Sequence, residues 1–351
     1  VFNLSEPISI NWELNNICNL MCPQCGRNQI KDGVLQWKKD GSGNPTNSLN
    51  DMDTTLEEFK IAFNNIGNVG TVRFYGHVSE NVASKDFAKI CEFVLDKGSH
   101  VMVSTNGSLR STDWWRELGK IYKRDKVSKV AFCLDGLRDE LSLYRINANY
   151  EKIMENAKAF IDAGGRAQWR MIVFKHNQHQ IEEAKEIAKE YGFHNFILIL
   201  SNRLGRWSEP FMYKNKEYLL LPQDIDKEWN EKERERAEYI ESDELYEISC
   251  KFQRQNSIYV DHLLRVWPCC YLPNKKELVK DNSWYGKYFA NKDNNLLEKS
   301  LNEILNDNFY ELLQMSWTEK SMCLKPCKST CTVKHKSGSF DASANYREKV
   351  W

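Results

Sequence analysis

The run "CNLMCPQC" places three thiols at Cys18, Cys22 and Cys25. Thiolates are soft ligands, so three this close together point to zinc or to an iron-sulfur cluster. A structural zinc ion asks for four protein ligands in a closed tetrahedron, and no fourth cysteine lies within reach in the sequence. Either a distant residue closes the site, or one metal corner stays open for a ligand that is not protein. Six more cysteines gather toward the other end: Cys250, Cys269, Cys270, Cys323, Cys327 and Cys331. The full set of 11 is odd in number and clustered, which suits metal ligation in a reducing compartment better than a disulfide framework.

These thiols need a scaffold, and the sequence supplies one. Runs rich in β-branched and aromatic residues recur as "ISINWEL", "VGTVRFYG", "HVMVSTN", "KVAFCLDG", "AQWRMIVF" and "NFILILS". Helical patterns lie between most of them, such as "SKDFAKICEFVLDKG", with Phe87, Ile90, Cys91, Val94 and Leu95 on one face. From the second run onward the starts are spaced by roughly 30 residues, the length of a βα unit. Six such units predict an α/β fold with a parallel sheet, open or closed part-way into a barrel. "KDGVLQWKKDGSGNPTNSLND" interrupts the first unit and reads as a polar surface loop or a lid.

In parallel βα folds the chemistry collects where strands end, because those loops converge on one face. Here the strand ends read "CNLMCPQC", "YGHVSEN", "TNGS", "LDGL", "KHNQ" and "SNR", each polar or glycine-bearing after an apolar run. The three cysteines therefore stand where an active site is expected.

The CxxxCxxC spacing after the first strand of a six-unit βα series resembles the radical S-adenosylmethionine (radical SAM) enzymes. The resemblance implies a partial (β/α)6 TIM-like barrel over residues 1–205, with a 4Fe-4S cluster on Cys18, Cys22 and Cys25. S-adenosylmethionine would chelate the open iron, and one electron would cleave it to methionine and a 5′-deoxyadenosyl radical that takes hydrogen from the substrate. A reducing partner such as flavodoxin or ferredoxin is implied with it. The family's glycine-rich turn is kept only in part in "FYGHVSEN": Gly76 and Glu80 remain, while Ser79 and Asn81 replace a glycine and a proline. Glu80 is then the expected partner of the methionine ammonium, and Thr105 and Asn106 of the "TNG" turn are the expected ribose contacts. "LDG" with Asp135, and Arg145 ten residues on, is similar to the element that holds the methionine carboxylate, with Cys133 where serine is usual.

Beyond residue 205 the pattern changes. A charge-dense stretch over 206–247 reads as a solvated linker helix. Residues 248–335 resemble the twitch and SPASM extensions of the same superfamily: Cys250, the hairpin "SIYVDHLLRVWP", Cys269, then cysteines after a helix. The resemblance implies a small α+β domain with a second, auxiliary 4Fe-4S cluster drawn from Cys250, Cys269, Cys323, Cys327 and Cys331, followed by a tail over 336–351. Which of the last three cysteines bind stays open, and a structural zinc ion is the alternative. Cys270 is the candidate catalytic residue, a thiol able to return a hydrogen atom to a carbon radical.

With 351 residues and 41% apolar content the chain can bury a large core. Lys+Arg and Asp+Glu both number 49, so no global field draws nucleic acid or an anionic membrane. Without an apolar run of about 18 residues or a secretory signal pattern, a cytoplasmic protein is expected. No peptide-recognition domain precedes the first strand, which favours a small substrate, although a chain starting at Val1 leaves an earlier segment open. The leading expectation is a net oxidation or dehydrogenation assisted by the auxiliary cluster. A peptide-modifying enzyme, an epimerase or crosslinker using Cys270, is the second, and a zinc-stabilised binding protein is the non-enzyme alternative.

Overall fold

Helices begin where the sequence offers a cap. In the computed structural model Thr55 accepts from the Glu58 backbone N–H while Glu58 reaches back to Thr55, a reciprocal box opening α1 (Leu56–Ile66). Ser111 and Asn149 cap α3 (Thr112–Tyr122) and α5 (Tyr150–Asp162) through single side-chain acceptors. The structure describes residues 2–38, 53–200, 209–228, 230–231, 246–273, 283–290, 293–319, 321–335, 338–339 and 347–349.

The six expected strands are all present: β1 (Ile8–Trp12), β4 (Val69–Phe74), β5 (His100–Thr105), β6 (Lys129–Cys133), β7 (Ala167–Val173) and β8 (Asn195–Leu200). Helices follow most of them, including α2 (Phe87–Asp96), α3, α4 (Arg138–Tyr144), α5 and α6 (Ile181–Tyr191). By its contacts the chain forms two compact units. One comprises Val1–Leu14, Thr54–Arg73 and Glu235–Ala344; the other comprises Asn15–Asp53, Phe74–Arg234 and Asn345–Trp351.

In the first unit β1 pairs in parallel with β4 on one edge and with β12 (Ser257–Val260) on the other. The expected hairpin is β12 with β13 (Val266–Trp267), and its first strand thus joins the N-terminal strand. The rest of this unit is α+β. It contains β11 (Tyr246–Ile248), α7 (Lys251–Arg254), α8 (Ser283–Ala290), α9 (Leu301–Leu305), α10 (Asn308–Met315), α11 (Lys325–Cys331) and β14 (Thr332–His335). Strand β11 pairs antiparallel with β14. Residues 232–245, which carry most of the expected linker helix, lie outside the described residues.

In the second unit β5, β6, β7 and β8 are parallel and in sequence order. The far edge of β8 pairs antiparallel with β15 (Arg347–Lys349), within the stretch expected as a tail.

A second small sheet follows the cysteine run. Its order is β10 (Lys216–Tyr218), β9 (Phe211–Tyr213), β3 (Val34–Trp37), β2 (Asn28–Lys31). The opening of the segment expected as a polar loop is thus a hairpin. Asp32 and Gly33 both take positive φ, 52° and 73°, as a two-residue turn between twisted strands requires. Leu35 points inward and is buried beside Leu20, Met21 and Cys22. Residues 39–52 of the segment lie outside the described residues.

The helix-facing side of β5 to β8 is filled by rings. Trp115 of α3 lies 5.1 Å from Phe132, and Trp169 lies 5.3 Å from Phe193. Helices α3 and α5 approach closely at Gly119, where an added Cβ would stand 2.4 Å from the Phe160 carbonyl oxygen. Alanine is the better helix former by about 1 kcal/mol, yet here it must push two backbones apart. We predict that Gly119→Ala lowers stability by about 1–3 kcal/mol, read as a shift of the urea midpoint; an unchanged or raised midpoint would contradict the close approach.

Candidate active site

The cysteine loop is held by its own backbone. The Cys25 N–H donates to the Cys22 carbonyl at 3.1 Å, and the Asn28 side chain donates to the same carbonyl at 2.8 Å. Glu80 N–H donates to the Ile17 carbonyl at 2.7 Å, which ties the loop to the turn after β4. Arg27 adds a second tie, its guanidinium donating to the Asn16 carbonyl at 2.6 Å and to the Val78 carbonyl. Neither Arg27 nor Asn28 stood out in the sequence, since an arginine beside a cysteine motif reads as surface.

In the turn after β4, Gly76 has φ +60°, and a Cβ there would stand 2.2 Å from the Ser79 carbonyl oxygen. Only glycine fits that conformation without strain. Ser79 is half-buried in the same turn. Glu80 is buried, and each of its carboxylate oxygens accepts a hydrogen bond: one from the Thr105 hydroxyl at 2.8 Å, the other from the Asn106 N–H at 2.8 Å. Burial raises the Glu80 pKa, and the Asn106 and Thr105 donors hold it back. Thr105 donates to Glu80, and its oxygen also accepts from Gly107 N–H at 2.9 Å.

Asn106 reaches the sulfurs. Its side-chain N–H₂ stands 3.8 Å from Cys18 Sγ and 3.1 Å from Asn19 Oδ1, while its oxygen accepts from both Ser108 groups. Asn19 in turn donates to the Ser108 hydroxyl at 2.8 Å. Asn19 and Ser108 were missed, although both sit inside quoted motifs as polar residues beside expected site residues.

On the other side Arg145 donates to Asp135 at 2.6 Å and lies 4.0 Å from Cys22 Sγ. Asp135 is fully buried and its second oxygen accepts from the Ile172 N–H at 2.6 Å. Burial pushes the Asp135 pKa up, with Arg145 opposing. Burial works against the Arg145 charge as well, yet Asp135, Cys22 and Cys133 hold it well above its ordinary range. Cys133 is half-buried, 3.1 Å from the Ser104 hydroxyl.

Burial pushes the Cys18 thiol up to about 11 and Cys22 further still. Such thiols ionise only against positive charge, which a metal centre supplies, and a guanidinium and an amide are already aimed at two of the sulfurs. The donor set fits a centre that binds three thiolates. Among the described residues no group of three or more His, Cys, Asp or Glu could hold one metal ion. A four-iron cube takes each thiolate on a different iron and asks for a wider spacing than one ion does.

The first unit contains a separate thiol site. Cys250, Cys269, Cys327 and Cys331 line one small, partly open cavity with Leu272, Leu313 and Trp317. Cys327 and Cys331 fall four apart on α11, so both face the same way, and Pro326 sits in the first turn of that helix, where its missing N–H costs nothing. A thiol–thiol hydrogen bond between Cys250 and Cys331 lowers the Cys250 pKa and raises that of Cys331. Cys323 and Cys270 do not line the cavity. The Cys323 thiol instead faces the Leu324 carbonyl at 3.7 Å.

Residues 12–188, about half of the chain, match the profile of the Radical SAM superfamily. The chain belongs to that superfamily. This radical SAM protein is 24% identical over 204 residues to the AdoMet-dependent heme synthase of Methanosarcina barkeri, covering 57% of this chain and 53% of that protein. It is 26% identical over 191 residues to the mycofactocin maturase MftC of Mycolicibacterium smegmatis, covering 54% and 43%. The chain thus spans about half the length of the curated relatives it matches. Its fold is similar to that of Streptococcus suis SuiB bound to the precursor peptide SuiA, with TM-score 0.54 and 14% identity over 88% of this chain and 66% of that one. The α/β architecture is that of a radical SAM partial barrel, and no helix among the described residues is long and apolar enough to cross a membrane.

Removing Asp135 would strand Arg145 and the Ile172 N–H together. Asp135→Ala is expected to cost about 3–5 kcal/mol, and Asp135→Asn less because it keeps an acceptor for the N–H. Urea unfolding of the two variants checks the order; equal costs would show that the charge pair carries the whole effect.

Proposed function

We propose that this radical SAM enzyme abstracts hydrogen from a substrate carbon and completes a net oxidation with the help of an auxiliary 4Fe-4S cluster. The observation that carries the proposal is the sorting of seven thiols into two sites: three on one pinned loop, and four around one cavity. When bound, the groups supply one-electron chemistry, the first cluster giving the electron that cleaves S-adenosylmethionine and the second receiving the one a substrate radical sheds. The chain's residues position and shield. Cys18, Cys22 and Cys25 would hold the first cluster, with Asn106 and Arg145 facing its sulfur ligands.

Glu80 would meet the methionine ammonium. Its oxygens keep lone pairs beyond the two hydrogen bonds they accept, and those bonds fix its orientation. Arg145, braced by Asp135, would meet the methionine carboxylate. Cys250, Cys269, Cys327 and Cys331 would hold the auxiliary cluster, which leaves Cys323 out of the ligand set. A flavodoxin or ferredoxin would supply the electron.

A peptide substrate is the second reading, favoured by the similarity to a maturase and by the fold shared with SuiB. In it Cys270, next to a cavity-lining thiol but outside the cavity, would return the hydrogen atom. Its test is deuterium from heavy water: Cys270→Ala should abolish incorporation into product, and undiminished incorporation would remove Cys270 from the role.

Anaerobically purified protein should contain about eight irons per chain with matching sulfide. Replacing Cys18, Cys22 and Cys25 by Ala should leave about four and end the formation of 5′-deoxyadenosine. Replacing the four cavity cysteines should leave the other four. Zinc in place of iron, or cleavage surviving the first replacement, would refute the proposal.

A further inference from the structure

Strands β5, β6 and β7 divide their side chains between two faces. One face carries Val103, Phe132, Trp169 and Val173, all buried, with Trp115 of α3 packed on Phe132. The opposite face carries Ser104, Cys133, Gln168 and Arg170 among the apolar Met102, Ala131 and Ile172. Arg170 is the register partner of Cys133, which itself acts electrostatically on Arg145. Arg170 thus stands one strand away from the residues assigned to the cofactor.

Two arginines of this chain, Arg27 and Arg110, are held by backbone carbonyls. Arg116, Arg124, Arg138, Arg145 and Arg265 each have a carboxylate partner. Arg170 is half-buried, and among the described residues it pairs with no carboxylate. Its guanidinium lies 5.4 Å from the centre of the Tyr75 ring and 3.5 Å from Gln168 Oε1. The ring supports one face of the guanidinium without neutralising it, and Gln168 engages a single N–H. The remaining N–H edge suits a planar, bidentate acceptor.

We propose that Arg170, oriented by Tyr75 and Gln168, binds a carboxylate of the substrate. The inference rests on the enzymatic reading above and adds the substrate's chemical class. A half-buried cation without a counter-ion costs free energy that an arriving anion offsets. One unpaired cation matches the single charge of a carboxylate; a phosphate monoester would bring close to two.

The substrate being unidentified, the probes are hippurate, its uncharged amide hippuramide, and phenyl phosphate, followed by saturation-transfer NMR on anaerobically purified full-length protein. Hippurate should bind the native protein and hippuramide should not. Arg170→Gln should weaken hippurate about tenfold or more, and Arg170→Lys, which keeps the charge but not the fork, should fall between. Far-ultraviolet circular dichroism of both variants excludes misfolding as the cause. Three results would overturn the proposal: no hippurate binding by the native protein, equal binding by Arg170→Gln, or hippuramide matching hippurate. Stronger binding of phenyl phosphate than of hippurate would overturn the carboxylate assignment. The readout needs neither reductant nor turnover, so a native protein that bound hippurate but failed to cleave S-adenosylmethionine would refute the reaction and leave Arg170 standing.

Discussion

Burial opposes negative charge on the Cys18 and Cys22 thiols, and the cysteine loop is built around that conflict. A thiolate in a low-dielectric site survives only with positive charge or donors directed at the sulfur. The chain answers with Arg145 beside Cys22 and the Asn106 amide beside Cys18. Each donor is itself held by a neighbour, Asp135 for the first and Asn19 with Ser108 for the second. The polar residues at the ends of β4, β5 and β6 therefore form two supports for one loop.

Glu80 shows how the strand-end turns are coupled. Its backbone N–H holds the cysteine loop through Ile17, and its side chain holds the turn after β5 through Thr105 and Asn106. A carboxylate buried this deeply is costly unless its lone pairs are used, and here both oxygens are engaged by the chain before any ligand arrives. The cost is recovered as order: three loops from three places in the sequence share one anchor.

Much of this is legible in the sequence because its signals are local. Period-two runs gave all six strands, and the three-cysteine spacing gave the loop, since strand alternation and ligand spacing are written over a few residues. The hairpin β2–β3 was equally legible: "NQIK" and "VLQW" flank an Asp-Gly pair, the strongest short hairpin signal, but the polar residues that follow it drew the whole segment toward a loop. Long-range pairings were not legible. Nothing near residue 257 says that Ser257–Val260 lies beside β1, because a register between strands far apart in sequence is fixed by packing and leaves no local trace. The contacts of Thr105 and Asn106 with Glu80 were hidden for the same reason, as Glu80 lies 25 and 26 residues away.

Composition alone would treat the 11 cysteines as one population, yet position separates them. Cys91 lies inside α2, fully buried, and accepts from the Tyr122 hydroxyl at 3.6 Å, which makes it a packing residue. Cys133 ends a strand on the face opposite the packed rings, where a thiol meets solvent or ligand rather than core. Cys327 and Cys331 share one helix face at a spacing of four and line the same cavity, while Cys323 precedes the helix and acts electrostatically on Cys327. The geometry of the element, and not the number of thiols, decides which sulfurs can act together, so a ligand set read from spacing must first know whether the spacing runs along a helix, a strand or a turn.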